Sequence, residues 1–419
     1  MTASRYPQEL ERPALVARKL RGISFSARPQ PPHFAAEILP EQSQQAHQEL
    51  GRIVVLATQG AGGDDETRLL ALLANFCPEV FPFDRRSKWR SFRELFKLIL
   101  RRRPELVIME GTGLAGGLAV LLGRLLAGVS YVICSGDAVG PFVAGQHPFL
   151  GPLFGIYERL LCRWSAGYIG WTPYLAGRAL TFGAPRAITA PGWAPFPPSP
   201  ERLLASRARI RKELGIAPDD LVFGLAGSLA WTRRVGYCYG LELIRSLLRT
   251  DRPGLKVVIV GDGAGRIRLE QAAGKRLGDS VLLTGRVPRD QVPDYLAVMD
   301  VASLPQSVDQ VGSFRYTTKL SEYQAAGLPI ITGQIPLAYD LGGPWLWRLP
   351  GKAPWDERYL QALAVVMQQI SPAELKTKKE AVPRQLPEFD RPRQVERVTA
   401  FVTDLLNDRN DHVAAGDRL

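Results

Sequence analysis

From Arg52 onward, short apolar runs alternate with longer amphipathic stretches. Ile53-Val54-Val55-Leu56 is uniformly apolar, the pattern of a parallel strand buried on both faces. The turn Gln59-Gly60-Ala61-Gly62-Gly63 follows, and then an amphipathic stretch at 64–75 that reads as a helix. Strand, glycine turn and helix open a doubly wound α/β unit. The alternation continues with a helix at 91–102, the strand Leu106-Val107-Ile108-Met109 and a helix at 115–127. The strand Tyr131-Val132-Ile133-Cys134, a helix at 152–164, the strand Tyr168-Ile169-Gly170 and a helix at 174–182 complete it. Such alternation predicts a parallel sheet covered by helices.

Residues 191–200 carry five prolines in ten positions and read as a linker. A second α/β unit then begins. Its strands are expected at 221–225, 256–260, 280–283, 301–304 and 329–332, and its helices near 237–249, 266–277, 291–298 and 319–326. Residues 372–393 are basic and broken by proline, and 394–406 form a last amphipathic helix. The fold class expected is α/β, with two Rossmann-like doubly wound domains facing a central cleft. The expected order is an extension at 1–50 with a short helix at 41–50, a domain at 51–190, the linker, a domain at 201–390, and a helix and tail at 391–419 packing back on the first domain. No internal repeat of solenoid length is present.

Composition narrows the partners. A 46% hydrophobic fraction over 419 residues suffices for two cores. The net charge of +12 points to nucleotide phosphates, acidic lipid headgroups or nucleic acid. The four cysteines (Cys77, Cys134, Cys162, Cys238) include no Cys-x-x-Cys pair, and the four histidines (His33, His47, His147, His412) are isolated. Neither a disulfide framework nor a metal site is expected, and a reducing cytoplasm fits. The first residues lack the apolar core of a signal peptide. The most apolar stretch, 114–133, is interrupted by Arg124, four glycines and Ser130 and reads as a buried helix followed by a strand. Arg85-Arg86-Ser87-Lys88-Trp89-Arg90 and Arg101-Arg102-Arg103 interleave with Phe92, Leu95, Phe96, Leu98 and Ile99. That helix either lies on an anionic membrane, on the inner face of which a lipid-linked acceptor would sit, or is an ordinary amphipathic helix with a solvated basic side. Nucleic-acid binding is not expected, because no recognised module is present.

The candidate chemistry centres on Thr317-Thr318-Lys319-Leu320-Ser321-Glu322-Tyr323, a helix expected to be capped by Thr317 or Thr318 and closed at Gly327 before Pro329. Lys319 and Glu322 are three apart and share a face near the helix start. Free N–H groups, a lysine and a carboxylate suit a nucleoside diphosphate attached to a sugar. Arg233 and Arg234 either grip the diphosphate or form a solvated pair. Asp137, just after a strand, either orients or deprotonates an acceptor hydroxyl or is only a turn residue. Glu110 has the same placement; His147 and Gly60 are further acceptor-side candidates. Trp193 and Trp231 either stack on a ligand or pack.

In the C-terminal half, four motifs occur in order: Val258-Ile259-Val260-Gly261-Asp262-Gly263, Val281-Leu282-Leu283-Thr284-Gly285-Arg286-Val287-Pro288, Asp300-Val301-Ala302-Ser303-Leu304-Pro305, and the stretch from Lys319 to Pro329. Residues 220–335 thereby resemble the retaining nucleotide-sugar glycosyltransferases of the GT-B fold, family four, while the N-terminal half resembles them in layout only. The resemblance implies a donor site mainly in the second domain, an acceptor site mainly in the first, and neither nicotinamide nor metal. It makes Glu322 the ribose-holding second glutamate of a paired motif and Gly285-Arg286-Val287 the loop whose backbone meets the base. It also makes Gly227-Ser228, with Arg233 or Arg234, the diphosphate grip. The first glutamate would fall at 314, where Phe314 stands, and Ser228 replaces a basic residue. Asp309, or the backbone at Gly312 and Ser313, is left to face the sugar. The activity expected is sugar transfer to a hydroxyl in polysaccharide or glycolipid synthesis, with Arg233 and Lys319 stabilising the leaving group. A nucleotide-sugar epimerase of the same fold and a non-catalytic sugar-nucleotide-binding protein are the alternatives.

Overall fold

The computed structural model describes residues 53–416, with side chains to residue 408; the extension at 1–50 and its expected helix lie outside them. Among the described residues, twelve strands form two six-stranded sheets. In the first, β1 (Ile53–Ala57), β2 (Glu79–Val80), β3 (Leu106–Glu110), β4 (Ser130–Ser135), β5 (Gly167–Gly170) and β6 (Ala187–Thr189) run in the order β2-β1-β3-β4-β5-β6. In the second, β7 (Leu221–Ala226), β8 (Leu255–Val260), β9 (Val281–Gly285), β10 (Val301–Leu304), β11 (Ile330–Gly333) and β12 (Leu346–Leu349) run in the order β12-β11-β10-β7-β8-β9. Every strand pair is parallel. The central strands are apolar throughout because helices cover both faces.

Strand order reverses between β1 and β3 in one sheet and between β7 and β10 in the other. Those switch points open a crevice beyond the carboxyl ends of the strands, where doubly wound sheets bind ligands. Thr58, Gly60 and Asp137 follow strands of the first sheet, Glu110 ends β3, and Gly227 and Gln306 follow strands of the second.

The helices Lys88–Arg102, Leu114–Ala127 and Gly151–Arg163 share one apolar core through Leu95, Ile99, Val120, Tyr157 and Leu161. Gly123 lies against Ile99 and Gly117 against Tyr157, so small residues let these helices pack closely. On the opposite face of that sheet, Val398, Phe401, Val402 and Leu405 of the last helix, Arg391–Gly416, pack with Ile53, Val55, Leu69 and Leu72. Asn75 donates to Thr399 at 3.0 Å along the same seam.

Several elements differ from expectation. The stretch expected to be helical at 237–249 is helical only over Leu241–Leu247, because Thr232 and Tyr237 pair as an isolated antiparallel bridge. Glu242 then takes the Tyr237 hydroxyl at 2.8 Å and the Gly240 N–H at 2.9 Å. Within the proline-broken stretch a helix does form, Pro372–Glu380, because Pro372 occupies the first turn and Ser371 caps the Glu374 N–H. The helix Lys319–Ala325 is closed by Gly327 at φ +68°, as expected. Its start has no side-chain cap: Thr318 already has helical dihedrals, and the Thr317 hydroxyl is buried without a hydrogen-bond partner among the described residues.

Candidate functional site

The second sheet ends in a rim of glycines. Gly227, Gly261 and Gly285 follow or end β7, β8 and β9, with φ of +159°, +140° and +77°. Gly227 donates to the Val260 carbonyl at 2.8 Å and Gly261 to the Gly285 carbonyl at 2.9 Å. A Cβ on Gly261 would collide with the Gly227 carbonyl, and one on Gly227 with the Cε of Lys319. Glycine is therefore required for Lys319 to lie along the end of β7, at the switch point. The Lys319 ammonium stands 4.9 Å from the centre of the Tyr239 ring and makes no ion pair among the described residues.

Glu322, one turn along, lines a small pocket with Pro195 and Phe196 of the linker and Arg289. Burial raises its pKa above the ordinary value of 4.5, against the pull of Lys319 and Arg289. Arg289 itself is ion-paired with Asp64 across the cleft. The loop 285–288 has a buried Gly285, a half-buried Val287 and an exposed Arg286.

The other donor-side candidates are placed less simply. Arg233 is exposed, and Ser228 is exposed at the turn. Arg234 donates to the Ala144 and Gly145 carbonyls at 3.1 and 2.6 Å, closing over the N-terminal half. The Asp309 carboxylate accepts the Val311 and Gly312 N–H groups at 2.8 and 2.9 Å, and the Ser313 N–H goes to the Asp309 carbonyl. The turn's own bonds thus use the amides that a sugar would need. Phe314 points away: it packs on the N-terminal core, the Arg178 guanidinium lies 5.7 Å from its ring, and Thr172 donates to its carbonyl at 2.7 Å.

On the first sheet, the turn from Gly60 to Gly63 is stabilised by the Glu66 carboxylate, which accepts the Gly62 N–H at 2.8 Å. The helix Asp64–Leu72 begins with Asp64, Asp65 and Glu66. Three acids at a helix N-terminus repel phosphate and suit hydroxyl groups instead. Glu110 is 2% exposed and is held by the Arg68 guanidinium at 3.0 Å and the Trp171 indole N–H at 3.2 Å. Burial pushes its pKa up to about 7 against the pull of Arg68. That enclosure places Glu110 beneath the crevice floor. Asp137 faces the cleft and is ion-paired at 2.6 Å with Arg315 of the opposite half. His147 is exposed on the loop beside Gly145. Trp193 and Trp231 are half-buried in the cores, each with an arginine over its ring.

The structure therefore brings Gly227, Lys319, Glu322 and Gly285 to one wall and Asp137 to the other, and leaves Glu110 and Phe314 outside the open cleft. Arg315, Tyr239 and Arg289 also border it and escaped the sequence reading. Only the position of Arg315 beside the anomalous Phe314 marked it; Tyr239 and Arg289 carry no local signal.

Comparison with known proteins bears on the family and the fold. Residues 42–191 match the family described as glycosyl transferase 4-like domain, and residues 220–341 match the glycosyl transferases group 1. A 2-deoxystreptamine glucosyltransferase of Streptomyces kanamyceticus is 27% identical over 225 residues, or 52% of this chain. The match spans about half of that relative, 54% of its length. Among solved structures, Anabaena HepE in complex with UDP-glucose superposes with a TM-score of 0.62 at 16% identity, over 84% of this chain and 100% of that one. The UDP-forming α,α-trehalose-phosphate synthase of Burkholderia xenovorans superposes with a TM-score of 0.58 at 12% identity, over 85% and 100%. With two glycosyltransferase family matches that together cover well over half of its length, the group 1 match in its second half, the chain belongs to the glycosyltransferases and has the GT-B architecture.

Proposed function

We propose that this enzyme moves a sugar from a nucleoside diphosphate to an acceptor hydroxyl with retention at the anomeric carbon, in the synthesis of a polysaccharide or glycolipid. The observation that carries the reading is Lys319, whose ammonium lies at the switch point with no carboxylate within ion-pair distance among the described residues. Fixed positive charge at developing negative charge is commonly the largest catalytic contribution. Lys319, with exposed Arg233 at the rim, supplies it to the departing phosphate without a metal ion. Glu322 receives the ribose hydroxyls, and the backbone of Gly285, Arg286 and Val287 borders the base. Asp137 faces the acceptor hydroxyl. Anabaena HepE, which shares the fold, is known in complex with UDP-glucose and with UDP, which favours a uridine diphosphate donor.

The acceptor we infer is lipid-linked, met at an anionic membrane surface on the cytoplasmic side. No helix among the described residues is long and apolar enough to cross a membrane. The outer surface of the three-helix layer, however, exposes Trp89, Leu125, Leu126, Phe149, Leu153 and Ile156, with Phe149 97% exposed. Arg85, Arg86, Lys88, Arg93, Lys97 and Arg101 are exposed on the layer's first helix, which carries Trp89, and the loop before it. Apolar side chains among arginines and lysines match a surface of anionic headgroups.

The test is turnover with a panel of uridine, guanosine, adenosine and thymidine diphosphate sugars, with and without EDTA. One donor should support release of its nucleoside diphosphate, EDTA should leave the rate unchanged, and NMR should find the anomeric configuration of the donor in the product. Lys319→Ala should lower kcat about a hundredfold, corresponding to roughly 3 kcal/mol. Inversion at the anomeric carbon, or a Lys319→Ala enzyme as fast as wild type, would refute the reading.

A further inference from the structure

Arg315 follows directly on Phe314, where the resemblance leads one to expect a glutamate facing the donor sugar. With the Phe314 ring turned into the N-terminal core, it is the next side chain that enters the cleft. The Arg315 guanidinium is 2.6 Å from Asp137 of the opposite wall and 5.9 Å from the centre of the Phe142 ring. It also interacts with the Tyr239 hydroxyl, and Tyr239 is the residue whose ring carries the Lys319 ammonium at 4.9 Å. Asp137, Arg315, Tyr239 and Lys319 thus form a continuous run from the acceptor wall to the donor switch point.

The charges of the donor wall do not balance without Arg315. The glycine turn after β7 carries Ser228 rather than a basic residue, Arg233 is exposed at the rim, and Arg234 is bound to the Ala144 and Gly145 carbonyls. Lys319, helped only by exposed Arg233 at the rim, would face a diphosphate that carries two negative charges in the donor and a third as it departs. Arg315 is the next cation inward. Its present partner, Asp137, is the weaker ligand, with one negative charge and a side chain 44% exposed to water, against 24% for Arg315. A phosphate offers a guanidinium the same two-pronged acceptor geometry with more charge.

We propose that Arg315 is a second diphosphate-binding cation, which Asp137 holds in place across the cleft until the donor phosphate takes it over. Exchange of one anion for another leaves no buried charge unpaired at any stage. The same exchange frees Asp137, half open to water, to accept the hydrogen bond of the acceptor hydroxyl. Donor binding thus prepares the acceptor side, and the substrates bind in that order. The inference rests on the donor-site reading given above.

The two residues of the pair should respond in opposite directions. Isothermal titration is carried out on wild type, Arg315→Gln, Arg315→Lys and Asp137→Ala. The titrants are uridine, guanosine, adenosine and thymidine diphosphates and the corresponding nucleosides, and each variant's unfolding midpoint is recorded. For the diphosphate that wild type binds, Arg315→Gln should weaken affinity about tenfold or more and Arg315→Lys less, the range of a charge-assisted hydrogen bond. Nucleoside affinity should not change. Asp137→Ala should bind the diphosphate as tightly as wild type or more tightly, while its turnover falls. If both substitutions weaken the diphosphate equally, the pair is only a strap between the two halves and the inference is overturned. Unchanged diphosphate affinity in a folded Arg315→Gln overturns it as well. Wild type that binds none of the diphosphates would overturn the donor-site reading itself, and this inference with it. A wild type that binds, with folded Arg315 variants that bind equally, confines the failure to Arg315.

Discussion

Glu322 is held where burial works against its charge, and this has a measurable consequence. Its pKa lies above 4.5 because desolvation outweighs the attraction of Lys319 and Arg289. In the proposed donor site ribose hydroxyls donate to the ionised carboxylate, so the protonated form should bind the donor more weakly. A raised pKa keeps that form populated to higher pH. Donor affinity should therefore fall on acidification at a pH above the ordinary glutamate value, and Glu322→Gln should be weak at every pH and lack this limb. Affinity titrated by fluorescence or calorimetry checks this; a limb that persists in Glu322→Gln assigns the titration elsewhere. The pairing of Glu322 and Lys319 on one helix face was legible because three-residue spacing puts them there. Arg315 was not, because its meaning comes from Asp137, a residue 178 positions away.

At the scale of elements, strands β1, β3, β4, β7 and β8 were legible as apolar runs, since burial on both faces confines polar residues such as Glu110, Ser130, Ser135 and Lys256 to positions at or near the strand ends. The edge strands β2, β6 and β12 were missed. They are two to four residues long and partly exposed, so their apolar pattern is too short to separate from a loop. The three-helix layer on the first sheet carries a prediction of its own. Its first helix turns Ser91, Leu95 and Ile99 inward and leaves Trp89 68% exposed. The exposed acid Glu94 on that helix is paired with Arg90 at 2.8 Å. The protein should sediment with vesicles containing phosphatidylglycerol and not with phosphatidylcholine alone. Binding should weaken as salt screens the arginines, and Phe149→Ser combined with Ile156→Ser should abolish it. Equal binding to both vesicle types, or none to either, would count against a membrane-facing layer.

The whole molecule is held closed around Trp171. Its indole donates to Glu110, the Arg68 guanidinium lies 4.2 Å from its ring, and Tyr316 of the other half meets it edge-on at 6.3 Å. Tyr174 with Asp340 and Arg289 with Asp64 also bridge the halves. Glu110→Ala would leave the buried Arg68 guanidinium and the Trp171 indole N–H without their acceptor whatever the protonation state of Glu110, a defect worth about 3 kcal/mol or more of stability. Chemical denaturation should show that loss, and a variant as stable as wild type would mean that Glu110 is not the anchor of this junction. Sequence reasoning placed Glu110 at the carboxyl end of a strand, which is correct, but could not tell crevice from floor. The chain by itself determined two doubly wound units, their glycine turns and the helix that carries Lys319 and Glu322. Each of these depends on apolar periodicity or local backbone conformation, which neighbouring residues specify. Only the tertiary structure decided that Phe314 leaves the cleft, that Arg315 enters it opposite Asp137 and that Glu110 is enclosed. Those outcomes depend on charges and volumes brought together from distant parts of the chain, where attraction and desolvation act through space and leave no period in the sequence.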